Sequence, residues 1–113
     1  RQAFGQSISK FQAISHKLAE ISTKLTVSRE LLQACSKVVP DGSKSTVMAS
    51  KTKWYISEFY KQAMIDFHQI FAGAAFRGNN DVERSLRASV ASTLYSGTSE
   101  VHKSIIAQSL GLK

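Results

Sequence analysis

At 113 residues the chain is long enough for one compact domain and too short for two ordinary ones. Its 42% hydrophobic and 20% charged residues, with a single proline, make a globular composition and exclude a disordered one. Fifteen Lys and Arg against eight Asp and Glu leave a formal charge of +7, but the cations are scattered with no block of like charge, so a nucleic-acid-binding tail is unsupported.

Taken in chain order, residues 6–39 place Ile8, Phe11, Ile14, Leu18, Ile21, Leu25, Leu32 and Cys35 at helical spacing on one face. Lys10, Lys17, Glu20, Lys24 and Arg29 lie between them on the solvated side. The stretch "VPDGS" at 39–43 stops this helix, because Pro40 cannot continue it and Asp41-Gly42 favours a turn. A second helix is predicted from Ser45 or Thr46, both competent N-caps, with a wide aromatic stripe running from Met48 through Trp54, Phe59 and Phe67 to Phe71. It ends at "AGAAFRGNN". Asn80 followed at the third position by Glu83 reads as a capping box opening a third helix, with Val82, Leu86, Val90 and Leu94 on its apolar face. Gly97 interrupts the pattern, and Val101, Ile105, Ile106 and Leu110 mark a fourth helix. The predicted fold is all-α: an up-down helical bundle of two long antiparallel helices plus two shorter ones. A second helix so apolar requires a further neighbour, either an upstream helix or another subunit.

Cys35 is the single cysteine, which excludes an internal disulfide framework and suits a reducing compartment. His16, His68 and His102 are far apart and lack companions at zinc spacing, so no metal site is expected. The apolar run 70–76 is broken by Gly73 and far too short for a membrane span. No signal peptide opens the chain, and since it begins at Arg1 it is expected to be a fragment of a longer protein.

Three stretches invite a ligand reading. "RQAFGQSISKFQ" sets an Arg, a Phe and a Gly ahead of a helix N-terminus, where anions are favoured; an ordinary loop entering a helix is the alternative. "HQIFAGAAF" places Gln69 and Gly73 one helical turn apart, for close approach to a cofactor or merely to a neighbouring helix. His68 beside them reads as a structural residue, and Trp54 as core. "YSGTSE" at 95–100 offers the hydroxyls of Ser96, Thr98 and Ser99 around Gly97, either to a ligand or simply to cap the last helix.

In that order and spacing, "RQAFGQSISKFQ", "HQIFAGAAF" and "DVERSLRASVASTLYSGTSEVHKSIIAQSL" together resemble the C-terminal helical domain of the acyl-CoA dehydrogenases, essentially end to end. That family oxidises acyl-CoA thioesters to trans-2-enoyl-CoA: a carboxylate removes the α-proton, FAD accepts the β-hydride, and electrons leave through an electron-transferring flavoprotein. The resemblance implies FAD as cofactor, an acyl-CoA substrate, and a homo-oligomeric dimer or tetramer in which this domain helps bind a neighbouring subunit's FAD. It also implies that the first helix of the family's C-terminal bundle lies outside this chain. An intracellular location follows, cytoplasmic in a bacterium or the mitochondrial matrix in a eukaryote.

Residue by residue, the resemblance puts Arg1, Gln2, Ala3, Phe11 and Gln12 against FAD, with Arg1 at its diphosphate, a sound pairing of guanidinium with phosphate. Gln69 and Gly73 match the second motif, in which Ala72 and Ala75 stand where relatives have glycine. Gly97 is implied to approach the thioester, and Thr98, Ser99, Glu100 and Val101 the flavin. Relatives often carry the catalytic base immediately before that glycine, in Tyr-Glu-Gly-Thr; here the position is Ser96, whose hydroxyl cannot remove an α-proton unaided. Arg87-Ala88 likewise replaces an upstream Arg-Asp pair. Glu100 is offset by four residues and matches a polar position of relatives, so it is not the substitute. Some members, the isovaleryl-CoA type among them, hold the base on the helix preceding Arg-x-x-Phe-Gly, so the base is expected upstream of Arg1. The competing expectation is a catalytically silent relative serving as a structural subunit or interaction domain.

Overall fold

A computed structural model describes residues 1–38, 42–77 and 81–112. The chain opens with an antiparallel hairpin, β1 (Gln2–Ala3) against β2 (Gln6–Ser7), followed by a 3-10 turn over Ile8–Lys10. Phe4 (φ 53) and Gly5 (φ 77) are both left-handed, as a two-residue hairpin turn of the right twist demands. The helical face expected from residue 6 therefore starts later, with α1 at Gln12–Ser36. The expected stop at Pro40-Asp41 lies outside the described residues.

Helix α2 spans Gly42–Phe71 and continues as a 3-10 turn over Ala72–Phe76. Ser45 and Thr46 are not its caps. Both sit in its first turn, their hydroxyls donating to the Gly42 carbonyl at 3.0 Å, the local bond that short hydroxyl side chains make inside helices. Helix α3 covers Asp81–Ser92 and α4 covers Ser99–Ser109. The expected cap Asn80 lies outside the described residues, while Glu83 accepts from Arg87 across one turn at 3.0 Å.

The arrangement is all-α, up and down, as the sequence predicts. Lys17 near the start of α1 meets Asp66 near the end of α2 at 2.6 Å, so the two long helices are antiparallel. On the other side of α2, α3 and α4 follow in a row, each running back along it: Ser99 at the head of α4 meets Glu58, whereas Ser109 at its end lies near Met48. The result measures 57 × 25 × 25 Å with a radius of gyration of 17.4 Å, well above the roughly 13 Å of a compact domain this size.

Small residues, more than large apolar ones, fill the helix contacts. Ser28, Ser50, Thr52, Ser57, Ser89, Ser92, Thr93 and Ser99 are buried, together with Ala63, Ile70 and Ala75. Most of these hydroxyls donate to carbonyls of their own helix, Ser28 to Lys24 at 2.8 Å and Ser89 to Leu86 at 2.7 Å among them, so their burial leaves no unpaired donor. The expected apolar faces are only partly covered. Val90 and Leu94 of the predicted α3 stripe are exposed while Ser89 is fully buried, and Leu18, Leu25 and Leu32 of α1 are exposed as well. Such large apolar surfaces are a mark of further partners.

Two local features carry predictions. Ala72 ends α2 at φ 50, a conformation that favours glycine, so Ala72→Gly is expected to raise stability by about 0.5–1 kcal/mol in urea unfolding. The ammonium of Lys17 donates to Asp66 and holds its carboxyl below its ordinary value of 3.8, with a smaller contribution from Gln62. Lys17 is 41% exposed, so solvent screening limits Asp66→Asn to a loss of about 1 kcal/mol. Because the folded value is depressed, that contribution is complete at neutral pH and disappears as pH falls through it. Thermal unfolding of the two proteins should differ at pH 7 and converge at pH below 3.8.

Candidate functional site

The first two motifs converge at one end of the bundle. The hairpin returns the chain so that the Ile8 N–H donates to the Arg1 carbonyl at 3.2 Å. This holds Arg1 and Ile8 beside the end of α2, where they line a groove of about 310 Å³ with Ile70, Phe71 and Ala74. No described carboxylate pairs with the Arg1 guanidinium. Phe4, at the hairpin tip, is 95% exposed and meets Phe11 edge to face at 6.1 Å between centroids. Gln2 lies in β1 exposed, Ala3 beside it half-buried, and Gln12 exposed as the first residue of α1. Gln69 is also exposed.

A methyl group added at Gly73 would meet nothing within 4 Å, so no helix within the described residues explains that glycine. Ala75, by contrast, is fully buried, and its methyl belongs to the interior rather than to an open contact surface. His68 has its Nδ1 at 3.2 Å from the Met64 carbonyl and packs edge-on to Phe76 at 5.5 Å, as a structural histidine does.

The third motif lies elsewhere. Ser96 (φ 56) and Gly97 (φ 94) form two successive left-handed residues between α3 and α4, a turn that costs about 1–3 kcal/mol at the non-glycine position. Side chains from two helices hold it. Lys53 of α2 donates to the Gly97 carbonyl at 2.7 Å, and His102 of α4 places Nε2 at 3.1 Å from the Ser96 carbonyl. Between Lys53 and Ile70 there are seventeen helical steps of α2, so this turn is about 25 Å from the Arg1 groove.

Thr98 is the N-cap of α4, its hydroxyl accepting from the Val101 N–H at 3.4 Å. Ser99 does not cap. It is 2% exposed, its hydroxyl donates to Glu58 at 2.6 Å and its N–H donates to the Thr93 carbonyl. Glu100 and Val101 are exposed, and Thr98 is half-buried. Trp54 is half-buried beneath the Lys103 ammonium, 5.6 Å from its ring centroid.

None of the nearby groups is a ready base. Ser96 is exposed, and no described carboxylate or imidazole bonds its hydroxyl. Glu58 is the acid behind the turn, but hydrogen bonds from Lys61 and then Ser99 hold its carboxyl below the usual range. Glu100, on the first turn of α4, is held low by its own backbone N–H and by Thr98. Lys53 and Glu58 escape sequence reasoning because they lie more than forty residues from the groups they bind. No group of three or more His, Cys, Asp or Glu among the described residues could hold a metal, and no described helix is long and apolar enough to cross a membrane.

The chain is thus an elongated all-α slab, with an arginine-lined groove at one end of α2 and a glycine turn farther back along it. The chain belongs to the family described as acyl-CoA dehydrogenase, C-terminal domain, whose profile matches residues 1–111. Among its relatives is the L-prolyl-peptidyl-carrier-protein dehydrogenase of a Serratia species, 34% identical over 100% of this chain and 29% of the relative. A solved structure described as the FAD complex of PigA superposes with a TM-score of 0.91 at 32% identity, covering 99% of this chain and 29% of that one. Another, described as the electron transferring flavoprotein of Acidaminococcus fermentans, gives 0.90 at 29% identity, over 97% and 29% of the two chains. The chain thus spans under a third of the length of these proteins.

Proposed function

We propose that this chain is the C-terminal domain of a longer flavin-dependent dehydrogenase that introduces an α,β double bond into an acyl thioester. The single observation that carries the reading is an Arg1 guanidinium with no ion-pair partner among the described residues, set in the groove at the end of α2 beside a glycine that no described helix explains. An arginine there suits a diphosphate, and Gln2, Gln69 and Gly73, chain neighbours of the lining residues, are exposed, as is Gln12. Hydride acceptance is the chemistry FAD supplies when bound.

The chain's own residues bind and orient. Arg1 neutralises the diphosphate, Ala3 and Phe11 flank it, and the backbone at Gly97, where His102 leaves no room for a side chain, approaches the thioester. Thr98, Glu100 and Val101 face the flavin, whereas Ser99 contributes from inside by anchoring α4 to Glu58. The separation of about 25 Å along α2 supports two different flavins at the two regions, one of them held with a neighbouring subunit. Exposed Leu18, Leu25 and Leu32 fit a dimer or tetramer. The α-proton is removed by a carboxylate outside this chain, upstream of Arg1, since Ser96, Glu58 and Glu100 are all unsuited. An electron-transferring flavoprotein is the electron acceptor, and the free thiol of Cys35 fits a cytoplasmic or matrix location.

The relatives divide over whether the thioester is carried by coenzyme A or by a carrier protein. The full-length protein is expected to purify with one FAD per chain and to lose its flavin absorbance anaerobically on addition of butyryl-CoA, octanoyl-CoA or L-prolyl-pantetheine thioester. Failure to retain FAD after reconstitution, or flavin that none of the three bleaches, favours the silent structural subunit instead.

A further inference from the structure

We propose that Lys53 is a positioning residue for thioester binding, acting through the Gly97 carbonyl and assisted by His102 at the Ser96 carbonyl; the proposal rests on the function proposed above. Lys53 projects from the middle of α2 and is half-buried, yet it is in none of the described ion pairs. Its short bond goes to a neutral carbonyl at 2.7 Å. A cation partly removed from water and aimed at one peptide oxygen has a stronger reason than surface solubility, because charge-assisted bonds of this kind are among the strong ones.

The geometry gives that reason. Two consecutive left-handed residues turn their carbonyls out of any helical ladder, and Lys53 and His102 take one each. In a trans peptide the N–H points opposite to the C=O. Drawing the two carbonyls toward α2 and α4 therefore sends the Gly97 and Thr98 N–H groups the other way, and a cation at the oxygen end polarises the peptide and strengthens its N–H as a donor. Lys53 also forms part of the wall of a groove of about 420 Å³ with Tyr60, Ser92 and Tyr95, so the same side chain ties the turn to the surface next to it. The Gly97 position tolerates no replacement of this contact by bulk, since a Cβ there would come within 2.9 Å of His102 Nε2.

The test uses the full-length flavoprotein as wild type, Lys53→Met and Lys53→Arg. Two quantities are read: amide hydrogen exchange of a peptide spanning residues 94–100, and the dissociation constants of butyryl-CoA, octanoyl-CoA and L-prolyl-pantetheine thioester. Lys53→Met is expected to speed exchange in that peptide about tenfold and weaken the bound thioester about tenfold, the loss of one charge-assisted bond, with FAD content and α1 exchange unchanged. Lys53→Arg is expected to recover most of both. Unchanged exchange overturns the proposal, as does a loosened turn with unaltered thioester affinity, which would leave Lys53 a merely structural residue. Should Lys53→Met lose its flavin, Lys53→Gln, which keeps a polar head without the charge, carries the same expectations. A wild type that binds FAD but none of the thioesters refutes the proposed function first, and this role with it.

Discussion

Gly97→Ala is expected to lower the stability of the protein by about 2–4 kcal/mol and to abolish thioester-dependent bleaching of the flavin. Two effects add. At φ 94 any Cβ-bearing residue is strained, at a cost of about 1–3 kcal/mol. The new methyl would also lie 2.9 Å from His102 Nε2, so the imidazole must withdraw from the Ser96 carbonyl, losing a hydrogen bond of about 1 kcal/mol. The turn would then move relative to Lys53. Urea unfolding monitored by Trp54 fluorescence measures the first consequence, and anaerobic titration of the full-length protein measures the second. A change in stability under about 0.5 kcal/mol would mean that the turn is not held as described.

Arg1→Ala has a large effect of a different kind. Its backbone carbonyl, which closes the hairpin by accepting from Ile8, is untouched by the substitution, so stability should change by less than about 0.5 kcal/mol. Flavin affinity in the full-length protein should instead fall about 10- to 100-fold, the loss of one or two charge-assisted bonds to a diphosphate. The variant's affinity should also depend less on salt than that of the wild type, because one ionic contact has been removed. Equilibrium dialysis at two salt concentrations distinguishes this from a general weakening. Equal flavin affinity in wild type and variant would remove Arg1 from the cofactor surface.

The helices and their order were legible because long amphipathic runs repeat the same period many times, while the family resemblance rested on three motifs in order. The hairpin was not. Strands of two residues have no period to detect, and the turn depends on Phe4 accepting a left-handed conformation that its residue type disfavours. Helix α3 shows a different limit. Hydrophobicity selects Val82, Leu86, Val90 and Leu94, but close helix approach selects small side chains, and Ser89 and Ser92 occupy the interior instead. What hydrophobicity identifies in Val90 and Leu94 is surface fit for burial by something outside this chain.

The site was legible in its parts and not in its assembly. Arg1, Gly73, Gly97 and Thr98 stand out as residue types in motif order. Their division into two regions of α2, and the support given to one of them by Lys53 and Glu58, depend on contacts across forty-odd residues that spacing cannot reveal. Ser99 illustrates the consequence: its motif position suggests a surface contact, and the fold turns its hydroxyl inward.

The measurement that bears most directly on the account is anaerobic reduction of the full-length flavoprotein by the three thioesters, with wild type and Ser96→Glu side by side. If the proton-abstracting carboxylate lies outside this domain, as proposed, at least one thioester should bleach the wild-type flavin with Ser96 in place. A wild type that stays oxidised with every thioester while Ser96→Glu is reduced would contradict it, and would mark Ser96 as the remnant of a lost active site.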